Sequence, residues 1–327
     1  MILASVLVLI AAGCGDEVSS SDMSSTESVS PQTSSTLPAA SVSTAKPTKP
    51  EANITTLTLV DESRPTPATA ETPELPERTL ETWLYLPAAD QPAPLIVFSH
   101  GMAGHPTKFE RMHTAWRDAG YAVAAPAFPL TNDQIAGGSL DAADLVNQPE
   151  DVVFVLDQLL AMNEDKDSDL YGRFDPEQLA AAGLSLGGMT TYAAAVDEKT
   201  RDDRFKAAMI QAGLIPNTDF AAPTDLPILV MHGSADPVLD QAAALSSFEL
   251  LNAPKIFVSM LDAWHADQFE DPENALTEKA LEFHPLVDQT TTLFWDAYLR
   301  SEPTASPEDV IASASDPLLT IVDSDLS

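Results

Sequence analysis

The stretch Gly183-Leu-Ser-Leu-Gly-Gly188 decides the fold of this chain of 327 residues. It follows an apolar run, Gln178–Leu184, and precedes a run of small residues, Met189–Ala195. The pattern G-x-S-x-G after a strand and before a helix is typical of the sharp turn that lifts a serine above the strand end. Glycine is needed there because the backbone doubles back on itself. We therefore expect Ser185 on a strand-to-helix turn, although the motif alone also fits a tight connection without chemistry.

An acid and a base follow the serine in a workable order. Asp236 comes four residues after the apolar run Leu226–His232, and His265 follows the next such run, Lys255–Leu261. Serine needs a base within hydrogen-bonding reach, and a carboxylate can hold that base in the right tautomer. The order Ser, Asp, His is that of α/β-hydrolases rather than of chymotrypsin or subtilisin. The sequence thus predicts the catalytic residues Ser185, Asp236 and His265, with a turn-forming role as the alternative for Asp236.

Six histidines compete for the role of base. His265 is preferred because it follows both the acid and a predicted strand. His284, which precedes a predicted helix instead of following a strand, is the alternative. His105 and His113 precede the serine and lie on or near the next predicted helix. We assign a structural role to His100, and we expect His232 to bond to backbone groups.

The oxyanion donors are expected from two backbone amides. The amide of Leu186 follows the serine and would point at the developing negative charge. A second donor is expected from the loop after Leu95–Gly101, where we select the amide of Met102. Trp264, next to the predicted base, and His100 are the candidate residues of the substrate pocket, with simple packing as the alternative.

Several segments together resemble the dienelactone-hydrolase-like branch of the α/β-hydrolases, over roughly residues 76–300. The closest likeness is to bacterial esterases similar to platelet-activating-factor acetylhydrolase, chlorophyllase and cutinase-like polyesterases. The resemblance implies a serine esterase with its triad at Ser185, Asp236 and His265. Dienelactone hydrolases use a cysteine nucleophile, so that activity is not expected here. The segments that carry the resemblance are Pro94–Gly101, Gly120–Pro126, Asn147–Val152, Gly183–Gly188, His232–Pro237 and Thr290–Arg300.

Strand and helix patterns alternate along the same region. Such alternation predicts a mostly parallel central sheet with right-handed crossovers and helices on both faces, the α/β-hydrolase fold. The predicted strands are Arg78–Leu86, Pro94–Phe98, Tyr121–Ala125, Gln178–Leu184, Lys206–Gln211, Leu226–His232 and Lys255–Leu261. The predicted helices are Phe109–Ala119, Glu150–Met162, Gln241–Leu251 and Val287–Leu299.

Composition divides the chain into four parts. Residues 1–14 form a predicted signal peptide, and residues 15–75 are rich in Ser, Thr, Pro and Glu, as in a disordered tether. Within the tether, Ile54–Val60 is an alternative early strand of the domain. Residues 76–300 form the predicted catalytic domain, and residues 301–327 an acidic tail.

Cys14 is the chain's only cysteine and follows a short apolar stretch that ends in small residues. The stretch is too short to span a membrane. It resembles a bacterial lipoprotein signal, although it lacks a basic start. We expect Cys14 to be the lipid attachment site and the protein to be anchored outside the cytoplasm. An ordinary secretory peptide, with a secreted product, is the alternative.

The charge balance excludes some partners. With 16 Lys+Arg against 50 Asp+Glu, the formal net charge of −34 argues against nucleic acid and anionic membrane surfaces. No metal-ligand spacing and no phosphate-loop motif stands out. We expect no metal, no cofactor, a monomer, membrane contact only through the lipid, and a small-molecule or lipid-like ester as substrate. Alternatives are a lipase or phospholipid acyl hydrolase, a polyester hydrolase, or a non-catalytic surface-binding module on this scaffold.

Overall fold

The computed structural model describes residues 53–88, 91–134, 140–216, 219–221 and 225–327. The predicted signal peptide, the predicted lipid attachment site Cys14 and most of the predicted tether lie outside these residues.

The described residues form a nine-stranded sheet in the order β1-β2-β4-β3-β5-β6-β7-β8-β9. The five pairings between β3 and β8 are parallel, and the three that involve β1, β2 and β9 are antiparallel. The predicted mostly parallel sheet is therefore confirmed. The strands are β1 (Asn53–Asp61), β2 (Arg78–Leu86), β3 (Ala93–Ser99), β4 (Ala122–Ala127), β5 (Phe174–Leu184), β6 (Phe205–Gln211), β7 (Ile228–Gly233), β8 (Lys255–Met260) and β9 (Leu319–Asp325).

Among the residues that the structure describes, six α-helices cover the sheet on both faces, as the alternation of patterns predicted. They are α1 (Glu110–Asp118), α2 (Gln148–Glu164), α3 (Leu186–Thr191), α4 (Gln241–Glu249), α5 (Glu278–Tyr298) and α6 (Pro307–Ser313). One face packs against α2, α3 and α4, and the other against α1, α5 and α6. Every residue of β3, β4 and β7 is buried, which explains their continuous apolar runs, since a parallel sheet is covered on both faces.

The N-terminal boundary of the domain differs from the prediction. Residues 53–61, assigned to the tether, pair along their whole length with β2 as an antiparallel edge strand. The alternative early strand is therefore the correct interpretation of this stretch. Leu59 is buried on the core side and Leu57 packs against the same cluster. Two apolar residues are enough to hold β1 on the domain, because an edge strand is ordered mainly by backbone hydrogen bonds to its neighbour. Amino-acid composition gives no information about such backbone bonds.

The C-terminal tail was also placed wrongly outside the domain. Within residues 301–327, α6 packs on α5 and β9 pairs antiparallel with β8. Val310 and Leu319 are buried in the core of that face. Ser306 and Asp309 form a capping box that begins α6. The acidic residues of the segment point to solvent and dominate its composition. The mean composition therefore gives no sign of the two buried residues, Val310 and Leu319, that attach the segment to the domain.

Candidate active site

Ser185 occupies the sharp turn between β5 and α3. Its backbone has φ +56° and ψ −116°, which an L residue adopts only when its surroundings impose it. Its amide donates to the carbonyl of Gln211 on β6 at 2.8 Å. The chain reverses so tightly that a Cβ on Gly183 would stand 2.2 Å from the carbonyl oxygen of Gly187. This explains the glycines of the motif and holds the serine at the carboxyl end of the sheet.

Replacing Gly187 with alanine is expected to lower the free energy of unfolding by about 3 kcal/mol or more. A Cβ there would stand 2.0 Å from the backbone oxygen of Ser99, so β3 and α3 would have to separate. Gly172→Ala is the matched control. It has no neighbour within 4 Å but a φ of +66°, and we expect it to cost only about 1 kcal/mol. Urea unfolding of both variants checks this, and equal losses would contradict the steric explanation.

The structure brings the three predicted catalytic residues together. The Nε2 atom of His265 lies 2.7 Å from the Oγ atom of Ser185. On the other side of the ring, Nδ1 lies 2.6 Å from Oδ2 of Asp236. The Asp236 carboxylate is fully buried, whereas the His265 side chain retains 15% of its exposure. With Nδ1 donating to the carboxylate, Nε2 is free to accept the hydroxyl proton.

Asp236 is held as a carboxylate by its surroundings. Burial alone would raise its pKa, but hydrogen bonds from His232 and His265 and from the amide of Leu239 outweigh burial and keep the pKa well below its ordinary value. Its Oδ1 atom accepts from the amides of Val238 and Leu239, at 2.8 and 2.9 Å. The acid therefore stays ionised over the whole pH range in which His265 could act as a base.

His232 makes a contact that sequence reasoning missed. It was assigned to backbone groups, and its Nε2 atom does lie 2.8 Å from the carbonyl oxygen of Leu239. The same atom also lies 3.2 Å from Oδ2 of Asp236, with both side chains fully buried. A histidine four residues before the acid, across the same turn, was the only signal in the sequence.

The two predicted oxyanion amides lie on either side of the serine. Leu186 begins α3, so its amide has no partner within the helix. Met102 follows Gly101, where a Cβ would stand 3.2 Å from Cβ of Ser185. The amide of Met102 donates to no other backbone group among the described residues. Neither amide has a backbone acceptor among the described residues, and their role as oxyanion donors stays a prediction.

His100 has the structural role assigned to it and does not fit the alternative, a place in the substrate pocket. The ring is fully buried; Nδ1 donates to the carbonyl of Gly101 at 2.7 Å, and Nε2 accepts from the amide of Phe128 at 3.1 Å. Burial lowers its pKa to about 4, although the bond to Gly101 opposes this. The neutral ring thus joins the loop after β3 to the loop after β4. Trp264, by contrast, is 45% exposed beside His265.

His284, the alternative base, lies inside α5 and away from the serine. The helix begins at Glu278, earlier than predicted, and contains Pro285. The Nε2 atom of His284 faces the carbonyl of Asp267 at 3.4 Å. His265 is therefore the histidine that the fold places against Ser185.

Comparison with known proteins supports this description. A family model described as PET hydrolase-like matches residues 139–280, a stretch that contains all three predicted catalytic residues. The solved structure of a ferulic acid esterase from Streptomyces cinnamoneus superposes with a TM-score of 0.64 at 19% identity, covering 86% of this chain and 98% of that one. The chain has the α/β-hydrolase fold. No match was found among curated protein sequences.

In this fold, the loop that carries His265 is fastened to α1. Asp271 accepts from the amides of Glu110 and Arg111, at 2.9 and 2.8 Å, and so caps the helix. The guanidinium of Arg111 donates to the carbonyl of Phe269 at 3.2 Å and pairs with Asp288 on α5. Because Arg111 and Asp271 lie far apart in sequence, no local pattern could have revealed this anchor.

Glu270, in the same loop, gives a prediction about stability and pH. Burial raises the pKa of its carboxyl from 4.5 to about 7; Lys108 opposes this, and the carboxylates of Asp267 and Asp133 add to it. Because the Glu270 carboxyl binds its proton more tightly in the folded state, protonation stabilises the folded protein, and this stabilisation is complete below pH 4.5. It is lost as the pH rises through 7. We expect Glu270→Gln to remove that part of the pH dependence.

Relative to wild type, the Glu270→Gln variant should gain about 1–2 kcal/mol of unfolding free energy between pH 4.5 and pH 8. This is less than the full shift would give, because the carboxyl retains some solvent contact. Urea unfolding at the two pH values checks it. The exposed Glu249→Gln is the matched control and should show no such gain. If the difference in unfolding free energy between Glu270→Gln and wild type were the same at both pH values, the raised pKa of Glu270 would be contradicted.

The described part of the chain holds neither a candidate metal cluster nor a helix that could span a membrane. No group of three or more His, Cys, Asp or Glu side chains there is placed to hold a metal ion. No helix in those ranges combines the length and the apolar character needed to cross a bilayer.

Proposed function

We propose that this protein is a serine carboxylic-ester hydrolase that works through an acyl-enzyme on Ser185. The observation that carries the proposal is the continuous hydrogen-bonded chain from Ser185 through His265 to Asp236, with distances of 2.7 and 2.6 Å. The PET hydrolase-like family and the ferulic acid esterase are both named for ester hydrolysis, which supports the same conclusion.

Acylation begins when Oγ of Ser185 attacks the ester carbonyl. His265 takes the hydroxyl proton on Nε2, and Asp236 stabilises the resulting imidazolium. The carbonyl oxygen becomes an oxyanion and accepts from the amides of Met102 and Leu186. When the tetrahedral intermediate collapses, His265 returns the proton to the alkoxy oxygen, so the alcohol leaves and the acyl group stays on the serine.

Deacylation repeats the steps with water in place of the alcohol. His265 removes a proton from the water as it attacks the acyl carbonyl, and the same two amides hold the second oxyanion. Collapse releases the acid and restores the hydroxyl of Ser185. The 15% exposure of the His265 side chain is consistent with water reaching Nε2 without opening the fold.

The test of this function is hydrolysis of p-nitrophenyl acetate, butyrate and palmitate by the full chain. Turnover that is abolished by a fluorophosphonate reagent, with one phosphonyl group on the peptide containing Ser185, is the expected result. The profile over chain length separates an esterase from a lipase. A folded protein that neither hydrolyses these esters nor reacts with the reagent would favour the non-catalytic binding module.

We also propose that the enzyme acts outside the cytoplasm, anchored through Cys14. The support is the apolar stretch before this single cysteine and the Ser, Thr and Pro-rich segment after it. Metabolic labelling with an alkynyl palmitate in a bacterial host tests the anchor. Label on the wild type and none on Cys14→Ser is expected; equal secretion of both without label would favour the secreted alternative.

A further inference from the structure

A cavity of about 540 Å³ lies beside the oxyanion loop and is not used by the proposed chemistry. Its walls come from the loop between β1 and β2, from β2 itself, and from the loop after β4. Apolar and small groups contribute most of the surface. The lining residues that matter here are Leu75, Thr79, Glu81, His105, Ala127 and Leu130.

The sheet register places this cavity within reach of the serine. Val97 on β3 pairs with Ala124 on β4 and with Ala181 on β5. Ala127, three residues further along β4, therefore stands level with Leu184, the residue before the serine. Two strand spacings separate them, or ~10 Å.

The cavity lies on the acyl side of the proposed reaction. His265 follows β8 and approaches Ser185 from that side of the sheet, whereas the cavity lies beyond β3 in the opposite direction. The leaving oxygen has to face Nε2 of His265 in order to receive its proton. The acyl part of an ester therefore extends away from His265, toward the cavity.

His105 offers a hydrogen-bond donor to this cavity. The residue is only 2% exposed, and its ring packs edge-on against Trp83. Its Nδ1 atom accepts from the amide of Thr107 at 3.3 Å and lies 2.8 Å from the hydroxyl of the same residue. In the neutral ring the proton is then on Nε2. Among the residues that the structure describes, Nε2 has no acceptor, so it remains available to a ligand in the cavity.

Other polar groups around the cavity are already satisfied. The hydroxyl of Thr66 donates to the carbonyl of Glu77 at 2.7 Å. The side-chain amide of Asn132 donates to the backbone carbonyl of Phe128, also at 2.7 Å. Burial keeps the pKa of His105 below its ordinary value, although Asp133 opposes this, so the ring stays a neutral donor.

The charge around His105 further restricts the ligand. Glu81 lines the cavity, and Asp133 is paired with Lys108 at 2.7 Å. A free carboxylate on the ligand would meet Glu81 and a protein of net charge −34. A neutral oxygen, such as a carbonyl or ether, meets no such penalty and can accept from His105.

The wall that faces His105 is held by buried ion pairs. Arg78, at the end of the β1–β2 loop, is fully buried and donates twice to Asp144 at 3.0 Å. It also donates to Asp151 on α2, to which Arg64 of the same loop donates as well. The loop is thus tied at both ends to the opposite face of the domain, which gives the cavity a fixed shape.

From this geometry we propose that the cavity is a subsite for the acyl part of the substrate. It would bind a neutral apolar chain that carries an oxygen atom, and His105 would donate a hydrogen bond to that oxygen. The proposal rests on the proposed esterase function and adds a substrate class to it. The preferred acids are those with a second neutral oxygen, far enough along the acyl chain to lie in the cavity, that can accept from Nε2 of His105.

Three matched series of p-nitrophenyl esters test the subsite on the full chain. The first uses straight-chain monocarboxylic acids, the second uses methyl esters of dicarboxylic acids of the same chain length, and the third uses the free half acids. At one chain length, kcat/KM for the methyl diester should exceed that for the plain ester about five- to tenfold, as one hydrogen bond would give. The half acid should be poorer than both.

Variants of the cavity residues test whether the preference for the methyl diester arises in this cavity. His105→Phe should reduce the diester preference to about one, and His105→Gln, which retains a donor, should restore part of it. Thr79→Trp, on the exposed face of β2, should fill the cavity and remove the preference without touching the loop. Thr320→Trp on β9, at the opposite edge of the sheet, is the matched control and should keep the preference.

The outcomes separate the two proposals. A wild-type protein that hydrolyses p-nitrophenyl acetate but shows no diester preference, or a preference that survives both His105→Phe and Thr79→Trp, would overturn the subsite and leave the esterase standing. Failure to hydrolyse p-nitrophenyl acetate at all would overturn the esterase function itself, and the subsite with it.

Discussion

Replacing Ser185 with alanine is expected to lower kcat for p-nitrophenyl acetate by a factor on the order of 10⁴–10⁶. Without Oγ there is no atom to form the acyl-enzyme, and only the oxyanion amides and substrate binding remain. The unfolding free energy should stay within about 0.5 kcal/mol of wild type, because alanine meets the same left-handed backbone as serine. Steady-state kinetics and urea unfolding measure the two effects.

The matched control for this prediction is Ser246→Ala on the exposed face of α4. Its hydroxyl bonds only to a carbonyl of its own helix, that of Ala242 at 3.0 Å. Activity should be unchanged in this variant. If Ser185→Ala retained a tenth or more of wild-type turnover while folded, the nucleophile would have to be another group.

Replacing Asp236 with asparagine is expected to lower kcat by about 10⁴. The amides of Val238 and Leu239 both donate to Oδ1, so the asparagine oxygen must take that position. Its NH₂ group then replaces Oδ2, which faces Nδ1 of His265. An NH₂ group there forces Nδ1 to accept and moves the ring proton to Nε2, where it blocks proton transfer from the serine.

The pH dependence and a control sharpen this test. Asp240→Asn, whose side chain caps α4 through the amide of Ala242, keeps an equally good cap and should be fully active. For Asp236→Asn, reaction with a fluorophosphonate should slow in parallel with turnover, because both depend on an activated Ser185. Full reactivity of the serine in this variant would contradict the assigned role of the carboxylate.

The site was predictable where local chemistry determines it. The glycines around Ser185 are required by contacts within a few residues of the turn, and the acid and the base each follow a run of buried strand residues. Parallel strands bring their carboxyl ends to one edge of the sheet. Periodicity and chain order therefore predicted which residues would meet, without any knowledge of distances.

The parts that were missed depend on partners far away in sequence. The edge strands β1 and β9 are held by backbone pairing with β2 and β8, which leaves little trace in composition. His100 was a second candidate for the pocket because it begins the oxyanion loop, but its ring is committed to Phe128. The loop that carries His265 is positioned by Asp271, which accepts hydrogen bonds from two amides at the start of α1. No sequence pattern within the loop predicts this contact.

The central claim is that Ser185 carries the acyl group during turnover. The most direct test mixes the full chain with p-nitrophenyl acetate, quenches in acid within milliseconds, and maps acetyl groups on the peptides by mass spectrometry. We expect a burst of p-nitrophenol close to one per protein and a single acetyl group on the peptide containing Ser185. Turnover with no covalent adduct, or with the acetyl group on another residue, would contradict it.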